Sequence, residues 1–299
     1  MGSGFELTVV AENSTDANSF IDVAVTEITR IEKLISSWDE NSQTSTINKY
    51  AGIKPVKVNA ELFELIERSK TISKLTDGAF DISYASIDKI WKFDGTMQRM
   101  PSAEEIKNSV KKVGYRNIIL DKQNSTVFLS LKGMKIAFGA IGKGFAADKA
   151  KQLLISKGVR AGIINASGDM NTWGKQSNGN DWTVAIVNPL NKKQVFATLP
   201  ISNGAVVTSG DYEKYVEFKG KRYSHIINPR TGYPSSSGLL SVTVFAPKAE
   251  LADALATSVF VMGIVAGIDR VNQVPKVECI IIDAKGTIWK SKNIEIDSL

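Results

Sequence analysis

Apolar and polar residues recur with two periods along this chain, and the periods divide it into strands and helices. Phe5-Glu6-Leu7-Thr8-Val9-Val10 reads as a strand. Ile21, Val25, Ile28, Ile31 and Ile35 follow helical spacing, with Ser14, Thr15 or Asp16 as candidate caps. A second helix is predicted over about Ala60–Leu75, and a third from Ser102, where Ser-Ala-Glu-Glu has the form of a capping box. Three short strands are expected near residues 118–120, 126–129 and 135–138, broken by Gln123-Asn124-Ser125 and Lys132-Gly133 turns. A helix through Ala147, Ala150 and Leu153 follows. Further strands are predicted at 161–165, 182–187, 195–200, 205–209, 239–245 and 279–282, with one strong helix at about Ala249–Met262. Helices grouped with hairpins, without regular strand–helix alternation, indicate an α+β fold. The expectation is a single intertwined domain over residues 1–299, its sheets mixed but largely antiparallel and flanked by helices.

Composition narrows the function classes. With 299 residues, 43% hydrophobic and 23% charged, the chain has the make-up of a globular protein that needs no disulfide to close its core. The net charge of +6 is spread along the chain, and the densest basic group, Lys219 to Arg222, is short; a nucleic-acid partner is therefore not expected. No run approaches the ~18 apolar residues of a spanning helix. The lone cysteine, Cys279, lies in Val277-Glu278-Cys279-Ile280-Ile281-Ile282 and reads as a buried strand residue.

Several short segments carry candidate chemistry. His225, the only histidine, opens Ser224-His225-Ile226-Ile227-Asn228-Pro229-Arg230-Thr231-Gly232, a turn-rich stretch of the kind that presents functional groups. Its ordinary pKa suits proton transfer, although a lone histidine is more often structural. One histidine and one distant cysteine do not make a zinc site. Gly139-Ala140-Ile141-Gly142-Lys143-Gly144 lies ahead of a helix, where backbone N–H groups can receive phosphate; the glycines serve equally well for close packing. The run is not a Walker loop, and no acidic residue follows at the spacing a Rossmann unit needs. Asp253 and Thr257 fall one turn apart among small apolar residues. That pair reads either as oxygen ligands of a hard cation such as Mg2+ or as a helix N-terminal cap. Thr76-Asp77-Gly78-Ala79-Phe80-Asp81, Asn165-Ala166-Ser167-Gly168-Asp169 and Thr208-Ser209-Gly210-Asp211-Tyr212 each join glycine to a carboxylate or hydroxyl, and each also reads as a plain turn.

Taken in order, these segments resemble the ApbE family of FAD:protein FMN transferases. The resemblance runs nearly the whole chain, from Met1-Gly2-Ser3 through Ser36-Ser37-Trp38, Ser42 and Ile47-Asn48 to the segments above and Ala252-Asp253…Thr257. It implies the same α+β fold, FAD as flavin donor, Mg2+, and transfer of FMN to a Thr or Ser hydroxyl of an acceptor protein with release of AMP. By position it implies His225 as catalytic residue, and Asp253, Thr257 and the Ala140 carbonyl as metal ligands. FAD contacts would fall on Met1, Trp38, Ala79, Phe80, Asp81, Lys143 and Ile227. The alternatives it implies are a Mg2+-dependent FAD pyrophosphatase and a non-catalytic flavin-binding protein. The sequence contains no Asp-x-x-Ser/Thr-Gly-Ala-Ser/Thr acceptor motif, so the acceptor is expected to be another protein, such as a subunit of a membrane redox complex or a flavoprotein. The resemblance also implies a periplasmic or cell-envelope location, by way of an export or lipoprotein segment not in this chain, with the cytoplasm left open. Two departures stand out: Ala137 where the family has a carboxylate, and Ser167 where it has glycine.

Overall fold

The computed structural model describes residues 3–87, 90–191, 194–211, 215–218 and 220–294. Its elements in chain order are β1 (Phe5–Val10), α1 (Ser14–Ile35), α2 (Gln43–Lys49), β2 (Val56–Lys57), α3 (Ala60–Leu75), α4 (Ala103–Ser109), β3 (Ile118–Asp121), β4 (Thr126–Leu129) and α5 (Gly142–Ser156). They continue with β5 (Ala161–Ala166), β6 (Asp169–Trp173), β7 (Trp182–Val187), β8 (Val195–Ile201), β9 (Gly204–Gly210), β10 (Tyr215–Phe218), β11 (Lys221–Ser224) and β12 (Leu239–Ala246). The last are α6 (Ala249–Met262), α7 (Ile264–Asn272), β13 (Glu278–Asp283) and β14 (Ile288–Lys290). This is the expected α+β fold. The chain divides into two compact units, each closed from separate stretches: Met1–Glu32, Ile141–Gly210 and Gly238–Leu299 make the first, Lys33–Ala140 and Asp211–Ser237 the second.

The first unit is built on a seven-stranded sheet in the order β1-β5-β6-β9-β12-β13-β14, with antiparallel neighbours throughout. Its central strands are apolar on both faces: Val206, Val207, Val242, Val244 and Ile280 to Ile282 are all buried. Such β-branched runs suit a pleated surface covered on both sides. Helix α6 packs on β9 and β12 and lies against α5. Ala252 to Ala256 are buried without a break, so α6 is enclosed nearly all round, and small side chains allow that closeness. Burial of Phe145 and Phe260 stabilises this layer by roughly 1.5–3 kcal/mol each. Cys279 is fully buried in β13 as expected, and burial, with the Glu278 carboxylate beside it, pushes its thiol up to about 12.

The second unit joins α3 to the small sheet β2-β4-β3. Leu62, Leu65, Ile66 and Ile72 line the buried stripe of α3, which Asn59 caps by accepting the Glu61 N–H at 2.8 Å. Ser102 and Glu105 form the predicted capping box of α4, and Arg99 adds a two-pronged ion pair to Glu105 at 2.6 and 2.9 Å.

Three sequence expectations change. The cap of α1 is Asn13, whose side chain accepts the Asp16 N–H at 2.9 Å, not Ser14, Thr15 or Asp16. The buried stripe of α1 runs through Ala24, Ile28, Ile31 and Ile35, so Val25 falls off it and is exposed. Residues 135–138 form no strand, because side chains take the place of a neighbouring strand. Asn48 donates to the Ile136 carbonyl at 3.0 Å and accepts its N–H at 2.8 Å; Ser86 makes the equivalent pair with Lys135 at 2.9 and 2.8 Å. The short elements α2, α7, β2, β6, β10, β11 and β14 were not predicted. Among the described residues, no helix is long and apolar enough to cross a membrane.

Candidate functional site

In the first unit, the N-terminus of α5 meets the first two turns of α6. Gly144 permits the approach: a Cβ there would stand 2.7 Å from the Glu250 nitrogen and closer still to the Ala249 carbonyl group. Lys143 is thereby set between two carboxylates, with Nζ 3.0 Å from Asp169 Oδ2 and 3.4 Å from Asp253 Oδ1. The second oxygen of Asp253 accepts the Gly144 N–H at 3.2 Å. Asp253 is only 2% exposed, whereas the Lys143 side chain keeps 26% of its surface open. Burial alone would lower the pKa of Lys143, but Asp253 and Asp169 outweigh it, so the ammonium is held in its charged form.

One turn beyond Asp253, Thr257 is half-buried, and its Oγ1 lies 3.5 Å from Ser209 Oγ at the end of β9. The spacing therefore places Asp253 and Thr257 together, with a serine hydroxyl beside them. Asp253 is not the cap of α6. That helix starts at Ala249 with Lys248 giving no side-chain cap, and Asp148 of α5 accepts the Ala249 and Glu250 N–H groups at 3.0 and 2.9 Å.

Two carboxylates against one ammonium leave this corner with a net negative charge, and its donors are hard oxygens. That composition fits a small divalent cation such as Mg2+. Among the described residues no three His, Cys, Asp or Glu side chains converge as a metal site, so ligation here calls on hydroxyl and carbonyl oxygens as well. Ala140, the implied carbonyl ligand, is half-buried in the turn that leads into α5.

The second unit holds the remaining sequence candidates. At the end of α3 the chain reverses through Asp77 at φ 50° and Gly78 at φ 78°, with the Gly78 N–H donating to Ser73 O at 2.8 Å. This turn delivers Ala79, Phe80 and Asp81, all buried. Asp81 Oδ1 accepts from the Ser83 N–H and hydroxyl at 2.8 and 2.6 Å, and Oδ2 accepts the Tyr115 N–H at 2.7 Å. Burial raises its pKa against the pull of these hydrogen bonds. Its carboxylate thus fixes the loop that carries Phe80. Trp38, in the turn after α1, exposes 79% of its surface.

His225 follows β11, half-buried, with the ring of Phe93 edge-on at 6.4 Å. The loop beyond it is rigidly tied. Asn228 exchanges backbone hydrogen bonds with Tyr233 and Gly232 at 2.9 Å, Ile227 bridges Pro234, and Trp91 Nε1 donates to Gly232 O at 2.8 Å. Gly232 has φ 75°, and a Cβ there would stand 2.7 Å from Val110 Cγ1, so only glycine fits that turn. Ala137 donates its N–H to Ile82 O at 2.9 Å and brings no carboxylate to its place. Ser167 and Gly168, at φ 55° and 97°, form the two-residue turn from β5 to β6 that sets Asp169 at the head of β6. Met1 and Tyr212 lie outside the described residues.

Sequence reading missed two carboxylates here. Asp169 was visible only as part of a turn, although a two-residue hairpin fixes where the next side chain goes. Asp148 looks like an ordinary helix-surface residue beside Lys149 and Lys151.

The ApbE family model matches residues 1–281. A protein of Klebsiella pneumoniae strain 342 named FAD:protein FMN transferase is 33% identical over 256 residues, covering 85% of this chain and 79% of that protein. One of the same name from Escherichia coli K12 is 32% identical over 243 residues, covering 80% and 69%. The crystal structure of the ApbE protein of Thermotoga maritima superposes with a TM-score of 0.89 at 33% identity, over 97% of this chain and 94% of that one. Order of motifs, sequence relatives and backbone thus agree along almost the full length, and the chain belongs to the ApbE family.

Proposed function

We propose that this chain transfers FMN from FAD to a Thr or Ser hydroxyl of an acceptor protein and releases AMP, with Mg2+ held by Asp253, Thr257 and the Ala140 carbonyl. The observation that carries the reading is the Lys143–Asp253–Asp169 cluster at the N-terminus of α5, in a chain whose relatives are named FAD:protein FMN transferase. Bound Mg2+ supplies charge neutralisation and polarisation at a pyrophosphate.

The chain's own residues do the rest. Lys143 stays charged and offers a fixed positive group to a phosphate oxygen at the N-terminus of α5. Phe80 and the open face of Trp38 suit a flat ring system. His225, its imidazole oriented by Phe93, accepts the proton of the acceptor hydroxyl as that oxygen bonds to the FMN phosphorus and the bond to the AMP oxygen breaks. The acceptor is a separate protein of the cell envelope, where flavin-bearing redox subunits reside.

The test is incubation with FAD, Mg2+ and a peptide carrying Asp-x-x-Thr-Gly-Ala-Thr, followed by peptide mass spectrometry and an AMP assay. Addition of FMN less water, lost in His225→Ala and in Asp253→Ala, is the expected result. AMP without labelled peptide assigns the chain to FAD hydrolysis instead. FAD binding with neither product refutes catalysis.

A further inference from the structure

Helices α5 and α6 cap each other. From α5, Asp148 accepts the two free N–H groups at the start of α6, one on each oxygen, at 3.0 and 2.9 Å. From α6, Asp253 accepts the Gly144 N–H in the first turn of α5 at 3.2 Å. Neither helix has a side-chain cap of its own: Ile141 and Lys248 occupy the cap positions, and neither side chain bonds the first turn. Gly144 and Asp148 lie one turn apart on the same face of α5, as Ala249 and Asp253 do on α6, so the two carboxylates are ends of one closed arrangement. Asp148 is buried and held in turn: Asn171 Nδ2 donates to its Oδ1 at 2.7 Å, while Lys151 Nζ donates to Asn171 Oδ1 at 3.0 Å and to the Thr172 carbonyl at 2.8 Å. Its placement is therefore supported from β6 as well as from α6.

We propose that Asp148 is a positioning residue for the reaction: by gripping the N-terminus of α6 it sets the distance of Asp253 from Lys143 and Gly144, and so the geometry of the cation corner. The inference rests on the reading of Asp253 as a ligand; the closure itself is made by protein groups alone. An isolated cap on α6 would stabilise that helix wherever it sat; a carboxylate donated from α5 also fixes where α6 sits.

The experiment separates those two roles by amide hydrogen exchange on the metal-free, FAD-free protein. Asp148→Asn keeps the shape of the side chain but turns one acceptor into a donor facing an N–H group. Gly144, whose N–H bonds Asp253 and not Asp148, is expected to exchange about tenfold faster in the variant, while Val242 in the sheet centre is unchanged. The second variant, Asp148→Asn with Lys248→Ser, gives α6 a local cap. It is expected to restore thermal stability and leave Gly144 fast. Restoration of slow exchange at Gly144 by the local cap, or no change at Gly144 in the single variant, overturns the proposal. A parallel Mg2+ titration by calorimetry is expected to show weaker binding in both variants. Absence of Mg2+ binding in the unaltered protein would defeat the cation reading, while the exchange result still decides the role of Asp148.

Discussion

Replacing Gly144 by alanine tests whether the α5–α6 contact is as close as the geometry requires. At an ordinary helix position the change helps, since alanine is favoured over glycine by ~1 kcal/mol, somewhat less in a first turn. Here the new Cβ would lie 2.7 Å from the Glu250 nitrogen, about 0.7 Å short of the closest ordinary contact of 3.4 Å, and deeper still into the Ala249 carbonyl. Those atoms are backbone at the start of α6, so no side chain can swing aside; the helices must part. Overpacking of this kind costs ~1–3 kcal/mol, and rigid neighbours put it at the upper end. The net expectation is a loss of about 2 kcal/mol, or ~4–8 °C in Tm for a unit of this size. Urea unfolding followed by tryptophan fluorescence, to which the buried Trp173 and Trp182 of the first unit and Trp91 of the second contribute, and by far-ultraviolet dichroism gives the midpoint. A midpoint equal to that of the unaltered protein, or higher, would refute the close-contact argument, because the sign would then be that of an unconstrained helix glycine.

Other outcomes follow from the same reasoning. Cys279, fully buried and with its thiol pushed up to about 12, is expected to resist Ellman's reagent at pH 8 in the folded protein and to react fully in denaturant; fast reaction without unfolding would contradict its burial. Glu105 is held down to about 2, chiefly by its hydrogen bonds to Arg99 and then by the Ser102 backbone. A depressed carboxylate contributes stability above its unfolded value of 4.5, lost as pH falls towards about 2, so the α4 cap should persist through mild acid. Carbon-13 NMR of the Glu105 carboxyl checks this, and a midpoint near 4.5 would show that the Arg99 pair does not hold in solution.

Much of the fold was legible because its longest elements carry several consistent signals. Helix α3 has an apolar stripe and helix formers along its length, and α6 an uninterrupted small-residue face; both were bounded correctly. The stretch at 135–138 misled because its partners, Asn48 and Ser86, come from 88 and 49 residues earlier and are side chains, which no local period reveals. The α1 cap was ambiguous for a simpler reason: Asn13, Ser14, Thr15 and Asp16 are all good cap formers in succession. At the site, the spacing of Asp253 and Thr257 in an apolar helix was enough to bring them together. The pairing of Lys143 with Asp169 needed the β5–β6 hairpin and the approach of α6, both of them tertiary facts.

The interleaving of the two units bears on how the chain folds as it is made. Strand β9 pairs with β6 on one side, but its other edge waits for β12, and β12 in turn for β13. A nascent chain that has reached residue 238 therefore carries Val206 and Val207 along an unfinished sheet edge, an invitation to pair with another chain. The second unit is likewise incomplete until Asp211–Ser237 has been made. Closure of both units waits on residues beyond 210, so folding is governed by long-range pairing. Loss of even the final strands would strand the apolar centre of the sheet at its most adhesive stage.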